Sequence, residues 1–131
     1  MNGYLLDTHV LLWYASDDNQ LNANVRQVLL SSTLPVYISD VSWWEIAIKN
    51  SIGKLPLRTS LASLIADMRA RGFEALTITA QHLIRVNELA FPSSGHRDPF
   101  DRLLIAQAQT EGLVLLTQDG KFKDYEVRSQ S

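Results

Sequence analysis

The segment "DPFDRLLIAQAQTEGLVLLTQDG", residues 98–120, reads as one helix followed by one buried strand. Asp98 is a good N-cap, and Pro99 fits the first helical position, where its missing N–H costs nothing. Asp101 then falls at the third helical position, and Gly112 supplies the C-terminal stop. The apolar run Leu113–Thr117 follows, and an Asp119–Gly120 turn signal ends it. A helix that turns at glycine into a buried strand is half of a parallel α/β unit.

The same alternation extends along the rest of the chain. Further strand candidates are Tyr4–Asp7, Val36–Ser39, Ala75–Thr79 and Tyr125–Arg128. Helix candidates lie between them at Thr8–Ala15, Asn22–Ser31, Ser42–Ser51, Ser60–Ala70 and Ala80–Leu89. In the second of these Val25, Val28 and Leu29 recur at helical spacing, as do Leu61, Leu64, Ile65 and Met68 in the fourth. In the last, Leu83, Val86 and Leu89 share one side. Gly53 and Gly72 follow two of the helices as stops. No repeat, low-complexity segment or linker divides the chain, so residues 1–131 are expected to form a single domain.

Composition narrows the class. At 131 residues, with 46% hydrophobic and 20% charged content, the chain can bury a core without staples. It has no cysteine, which excludes disulfides and thiolate metal sites. No apolar run approaches the roughly 20 residues of a membrane span, and the N-terminus has no basic signal-peptide region. A cytoplasmic protein with no membrane association is expected. The net charge of −2 does not advertise a nucleic-acid binder.

The acids change that picture. In a parallel α/β sheet, the C-terminal ends of strands and the N-terminal ends of the following helices share one edge, where ligands bind. Asp7 ends the first strand, Glu45 lies early in the helix after the second, Asp101 opens the helix before "LVLLT", and Asp119 follows that strand. Four carboxylates brought to one edge repel one another. Helix N-termini offset only about 0.3–1 kcal/mol each. A hard divalent cation offsets far more, and oxygen-only ligands select Mg²⁺ or Mn²⁺ over zinc. Such a site suits phosphoryl chemistry, with the ion activating water and stabilising a leaving oxygen. Discounting the four acids changes the formal charge from −2 to +2. Lys49, Arg97, Arg102 and Lys121 are the candidates for a phosphate-binding rim, while Thr117 and Asp98 are expected to support the acids or cap a helix.

Each acid also has a bland reading. Asp7 can cap the first helix, Asp119 can open an ordinary Asp-Gly turn, and Glu45 can pair with Lys49 four residues on. Asp98 and Asp101 together resemble an acidic capping box. One metal site accounts for all four acids at once. His9, His82 and His96 are dispersed without paired spacing and are not read as ligands. Of the neighbours Trp43 and Trp44, at least one is expected in the core.

Four segments in order, "LLDTHVLLW", "SWWEIAIKNSIGKL", "HRDPFDRLLIAQA" and "LLTQDGKF", resemble the PIN-domain nucleases, and specifically the VapC-type toxins of bacterial toxin–antitoxin pairs. They span Leu5 to Phe122, and "HRDPFDRLLIAQA" is the most specific. The resemblance implies a three-layer α/β/α sandwich with a mainly parallel sheet of four to five strands. It also implies a Mg²⁺- or Mn²⁺-dependent endoribonuclease acting on RNA, a homodimer, and neutralisation by a cognate antitoxin protein. Asp7, Glu45, Asp101 and Asp119 match the family's four acids in order, and Asp98 is an extra acid typical of this subgroup. An apolar groove around Ile46, Ile52 and Leu55 is expected to receive the antitoxin.

Other acidic-pocket proteins fit less well. A phospho-receiver needs an acid pair after its first strand, and a haloacid-dehalogenase-type phosphatase needs an aspartate where this chain has His9. The alternative that survives is a non-cleaving PIN-like module that binds RNA or regulates, separated from the nuclease by whether RNA is cut.

Overall fold

Along each central strand, successive side chains enter two different cores. Leu5, Tyr37 and Leu115 join one apolar cluster, while their neighbours Leu6, Ile38 and Leu116 join another. Strand side chains alternate faces, so the sheet is buried on both sides and its strands read as continuous apolar runs. The computed structural model describes residues 2–125, Val127 and residues 129–131, with Asp124 and Ser129 described by backbone alone.

The strands are β1 (Tyr4–Leu6), β2 (Val36–Ser39), β3 (Glu74–Leu76), β4 (Val114–Leu116) and β5 (Ser129–Gln130). They form one sheet in the order β3-β2-β1-β4-β5, and every neighbouring pair is parallel. Leu5 lies opposite Tyr37 on one side and Leu115 on the other, which makes β1 the central strand. The helices are α1 (Thr8–Ala15), α2 (Ala23–Ser31), α3 (Asp40–Ser51), α4 (Leu61–Ala70), α5 (Ala80–Glu88) and α6 (Pro99–Glu111). Val10, Leu11, Val25, Ile46 and Met68 from α1 to α4 cover one face. Val86 from α5 and Leu103, Leu104 and Ala108 from α6 cover the other. This is the three-layer α/β/α arrangement that the sequence implied. Among the described residues, no helix is long and apolar enough to cross a membrane.

Side-chain caps fix most helix starts. Asn22, Ser39, Ser60 and Asp98 each accept an N–H from the first turn of their helix, and Gly112 ends α6 in the left-handed conformation at φ 68°. Two readings need correction. The third strand stops at Leu76 instead of running to Thr79, because Thr79 caps α5 in a box completed by His82. The candidate strand Tyr125–Arg128 includes Glu126 and Arg128, which lie outside the described residues. Tyr125 follows a 3₁₀ turn at Gly120–Asp124, and the strand is at Ser129–Gln130. On α5, Leu83 is exposed, and the inward positions belong to His82 and Val86.

Candidate active site

The chain leaves β1 for β2 on one side and reaches β4 on the other, so the sheet's direction of growth reverses between β1 and β4. The crevice outside the carboxyl ends of strands at such a point is where open α/β sheets bind ligands. Asp7 follows β1 there, its N–H still donating to the carbonyl of Leu116 at 3.0 Å. Its backbone is extended at the N-cap position of α1, yet its side chain makes no cap hydrogen bond. The carboxylate instead accepts from the hydroxyl of Thr117, just past β4, at 2.9 Å. Capping does not explain Asp7.

Burial pushes the Asp7 carboxyl from its ordinary 3.8 up to about 6. The Thr117 hydroxyl and the nearby His9 oppose that rise, and the charges of Asp101 and Asp119 add to it. The three aspartates therefore share one electrostatic environment. A cavity of about 340 Å³, lined by Asp7, His9, Trp13, Gln118, Asp119 and Gly120, opens over two of them, Asp7 and Asp119.

Asp101 sits in the first turn of α6 and is buried. Its Oδ2 lies 3.0 Å from Nε2 of His96 and 3.1 Å from Nζ of Lys121. Burial raises its pKa, Lys121 and His96 work against the rise, and Asp98 supports it. Asp98 itself caps α6, accepting the N–H of Asp101 at 3.0 Å. Asp119 accepts the N–H of Lys121 at 3.1 Å and pairs with the same lysine's Nζ at 3.1 Å. Burial pushes the Asp119 pKa up, but the Lys121 hydrogen bonds and charge outweigh it and hold the group below the ordinary value.

Glu45 arrives from α3. The hydroxyl of Thr8 donates to that of Ser42 at 2.9 Å, tying the start of α1 to the first turn of α3. Glu45 is three residues beyond Ser42 and so shares its helix face. It is buried at 6% exposure. Oε2 pairs with Lys49 at 2.5 Å, while Oε1 has no hydrogen-bond partner among the described residues. An orphaned buried carboxylate oxygen is costly unless something compensates it.

The donor set fits a hard divalent cation in chemistry and charge: oxygen ligands only, one buried oxygen without a partner among the described residues, and one buried aspartate held by a hydroxyl. The acids are not closed upon a common point, however. Among the described residues, no group of three or more His, Asp or Glu is arranged to hold an ion.

The rim differs from expectation. Arg97 is exposed, with its guanidinium 4.6 Å from the ring centroid of Phe91. Arg102 is not a rim residue: it is buried, donates to the carbonyls of Leu89 and Ala90, and stacks 3.8 Å from the Phe91 centroid. Lys49 and Lys121 are tied to acids. His96 was passed over in the sequence for want of paired spacing, although it stands five residues before Asp101. Its other nitrogen lies 2.8 Å from the hydroxyl of Tyr125. Trp43 packs against the core, whereas Trp44 is exposed and meets Phe100 edge-on at 4.9 Å.

Beside the acids runs a larger groove of about 730 Å³, with Leu12, Leu55, Pro56, Leu57 and Leu64 among its walls. His9 and Trp13 line both spaces. Of the residues expected to form a partner groove, Leu55 is in this wall, Ile46 is fully buried in the core, and Ile52 is exposed outside it.

Ribonuclease VapC22 of Mycobacterium tuberculosis (strain ATCC 25618 / H37Rv) is 26% identical over 125 residues, covering 95% of this chain and 93% of that protein. A chain in the crystal structure of VapBC2 from Rickettsia felis, bound to a DNA fragment from its promoter, superposes with a TM-score of 0.74 at 16% identity. That match covers 98% of this chain and 97% of the other. A chain of VapBC-5 from Mycobacterium tuberculosis, a member of the VapBC family of toxin-antitoxin systems, gives 0.59 at 20% identity, covering 99% and 97%. The family model for the PIN domain matches residues 4–127, nearly the whole length, and the chain belongs to the PIN-domain family.

Proposed function

We propose that the chain is a metal-dependent endoribonuclease that hydrolyses RNA phosphodiester bonds and serves as the toxin of a toxin–antitoxin pair. Asp7 carries this reading: a buried carboxylate at the sheet's switch point, faced by two further acids and hydrogen-bonded to the Thr117 hydroxyl. Membership of the PIN-domain family and the likeness to a ribonuclease support it.

Asp7, Glu45, Asp101 and Asp119 would hold Mg²⁺ or Mn²⁺. Bound there, a hard divalent ion supplies Lewis-acid neutralisation of the phosphodiester and a more acidic water. The chain's own residues prepare the site. Thr117 orients Asp7, and His96, itself held by Tyr125, orients Asp101. Water's oxygen forms a new bond to phosphorus as one ester P–O bond breaks; the water gives up one proton to solvent and the departing sugar oxygen takes one up from it. Lys49 and Arg97 steady the flanking phosphates.

The antitoxin is the protein partner in this reading. A segment seated in the groove past Leu55 and Leu64 would reach His9 and Trp13, and through them the acids. Trp44, Ile48 and Ile52, spaced four apart and exposed, offer an apolar face to a second copy in a homodimer. The toxin acts in the cytoplasm, where RNA is found.

The deciding experiment incubates end-labelled RNA with the purified chain in Mn²⁺ or Mg²⁺, with and without EDTA, beside an Asp7→Asn control. Internal cleavage that EDTA and Asp7→Asn both abolish is expected. RNA retention without cleavage at any metal concentration would establish the non-cleaving alternative instead.

A further inference from the structure

Lys121 follows Asp119 by two residues, and its backbone N–H closes the turn by donating to Oδ1 of that aspartate. That bond fixes where the side chain begins. Its ammonium then stands 3.1 Å from Oδ2 of Asp119 and 3.1 Å from Oδ2 of Asp101. One lysine thus bridges a carboxylate on α6 and a carboxylate after β4. The four acids divide unequally as a result. Glu45 has Lys49, Asp101 and Asp119 share Lys121, and Asp7 has a hydroxyl.

The bridge gathers two of the acids around one ammonium. Two-ion phosphodiester sites place their ions about 3.5–4 Å apart and need carboxylates to hold both. An ion using Oδ2 of Asp101 and Oδ2 of Asp119 would meet the lysine head on the same two oxygens. The backbone bond to Asp119 keeps the base of the lysine side chain beside the two acids it bridges.

We propose that Lys121 is a built-in cation of the active site: it fills the saddle between Asp101 and Asp119 that a second divalent ion would take, so the chain binds one ion. Lys121 supplies the other positive charge to the bound phosphate. This rests on the reading of the site as a divalent-metal centre.

The test titrates the metal-free full-length chain with Mn²⁺ by calorimetry, counting free Mn²⁺ by electron paramagnetic resonance. Lys121→Met removes the charge at similar length, Lys121→Gln keeps a polar end should the first fold poorly, and Lys121→Arg keeps the charge. One ion is expected for the native chain and for Lys121→Arg, and two for Lys121→Met or Lys121→Gln. Two ions in the native chain, or one in every variant, overturns the proposal. RNA cleavage measured on the same samples separates the failures. Metal-dependent cleavage with the wrong stoichiometry overturns only the role of Lys121, whereas no Mn²⁺ binding by the native chain overturns the metal centre along with it.

Discussion

The hydroxyl of Thr117 reaches Oδ2 of Asp7 across 2.9 Å of space and 110 positions of sequence. The register makes the meeting unavoidable: Leu6 lies opposite Leu116, so the next residue of each strand faces the other. Thr117→Val keeps the shape and removes the donor, leaving a buried carboxylate without its hydroxyl. Stability of the metal-free chain should fall by about 1–3 kcal/mol. Thr117→Ser should restore most of it, and denaturant unfolding of the pair checks this.

Asp7 predicts an inverted pH dependence. Its carboxyl titrates at about 6 in the folded chain and near 3.8 when unfolded, so the folded state holds its proton to higher pH. The stability it contributes is fully present below pH 3.8 and is lost as pH rises through about 6. The loss is on the order of 3 kcal/mol. Asp101 is displaced in the same direction. Asp119 is displaced downward, so its stabilisation persists across this range and is lost only at lower pH. The melting temperature of metal-free protein should therefore rise between pH 7.5 and 5.5. Asp7→Asn should remove most of that rise and melt higher than the native chain at pH 7.5. Mn²⁺ should raise the native melting temperature and leave that of Asp7→Asn unchanged. A Mn²⁺-induced rise in the variant as large as in the native chain would remove Asp7 from the metal site.

The two acids of "RDPFD" should separate cleanly. Asp98 caps α6, and Asp101 faces His96 and Lys121. Asp98→Ser preserves the cap and should retain most cleavage, whereas Asp98→Ala should cost about 0.5–2 kcal/mol. Asp101→Asn should abolish cleavage while shifting the melting temperature little. Thermal unfolding and RNA cleavage are read on all three, and an inactive, fully stable Asp98→Ser would move Asp98 into the metal site.

Arg102 should behave as a structural residue. Its guanidinium is spent on the carbonyls of Leu89 and Ala90 and on the face of Phe91. Arg102→Lys loses the planar fork and should destabilise by about 2–4 kcal/mol. Cleavage per folded molecule should remain within a few fold of native. A stable variant with weakened RNA binding would return Arg102 to the rim.

Much of this was legible because it depends on period and position. The apolar runs that enter two cores are short and uninterrupted, and the caps at Asp98 and Gly112 are local signals. Topology alone carried Asp7 and Asp119 to one edge. The β-branched run Thr77–Thr79 misled, because a threonine before a helix serves as a cap as readily as it extends a strand. The partners of Asp101 could not be read at all. His96 lies in a loop and Lys121 in the 3₁₀ turn after β4, and which acid they meet depends on how α6 docks against that turn.

The central position of β1 has a consequence for how the chain acquires its chemistry. The first strand is synthesised long before its neighbour β4, which comes from Val114–Leu116, and β5 from Ser129–Gln130 follows later still. Contacts so distant in sequence pay their loop-closure entropy late, and slow the folding of parallel sheets. On the ribosome, Asp7 waits for Thr117, which follows it by 110 positions. A nascent copy that has not reached Thr117 therefore lacks both the hydroxyl that holds Asp7 and the Asp119 charge that faces it.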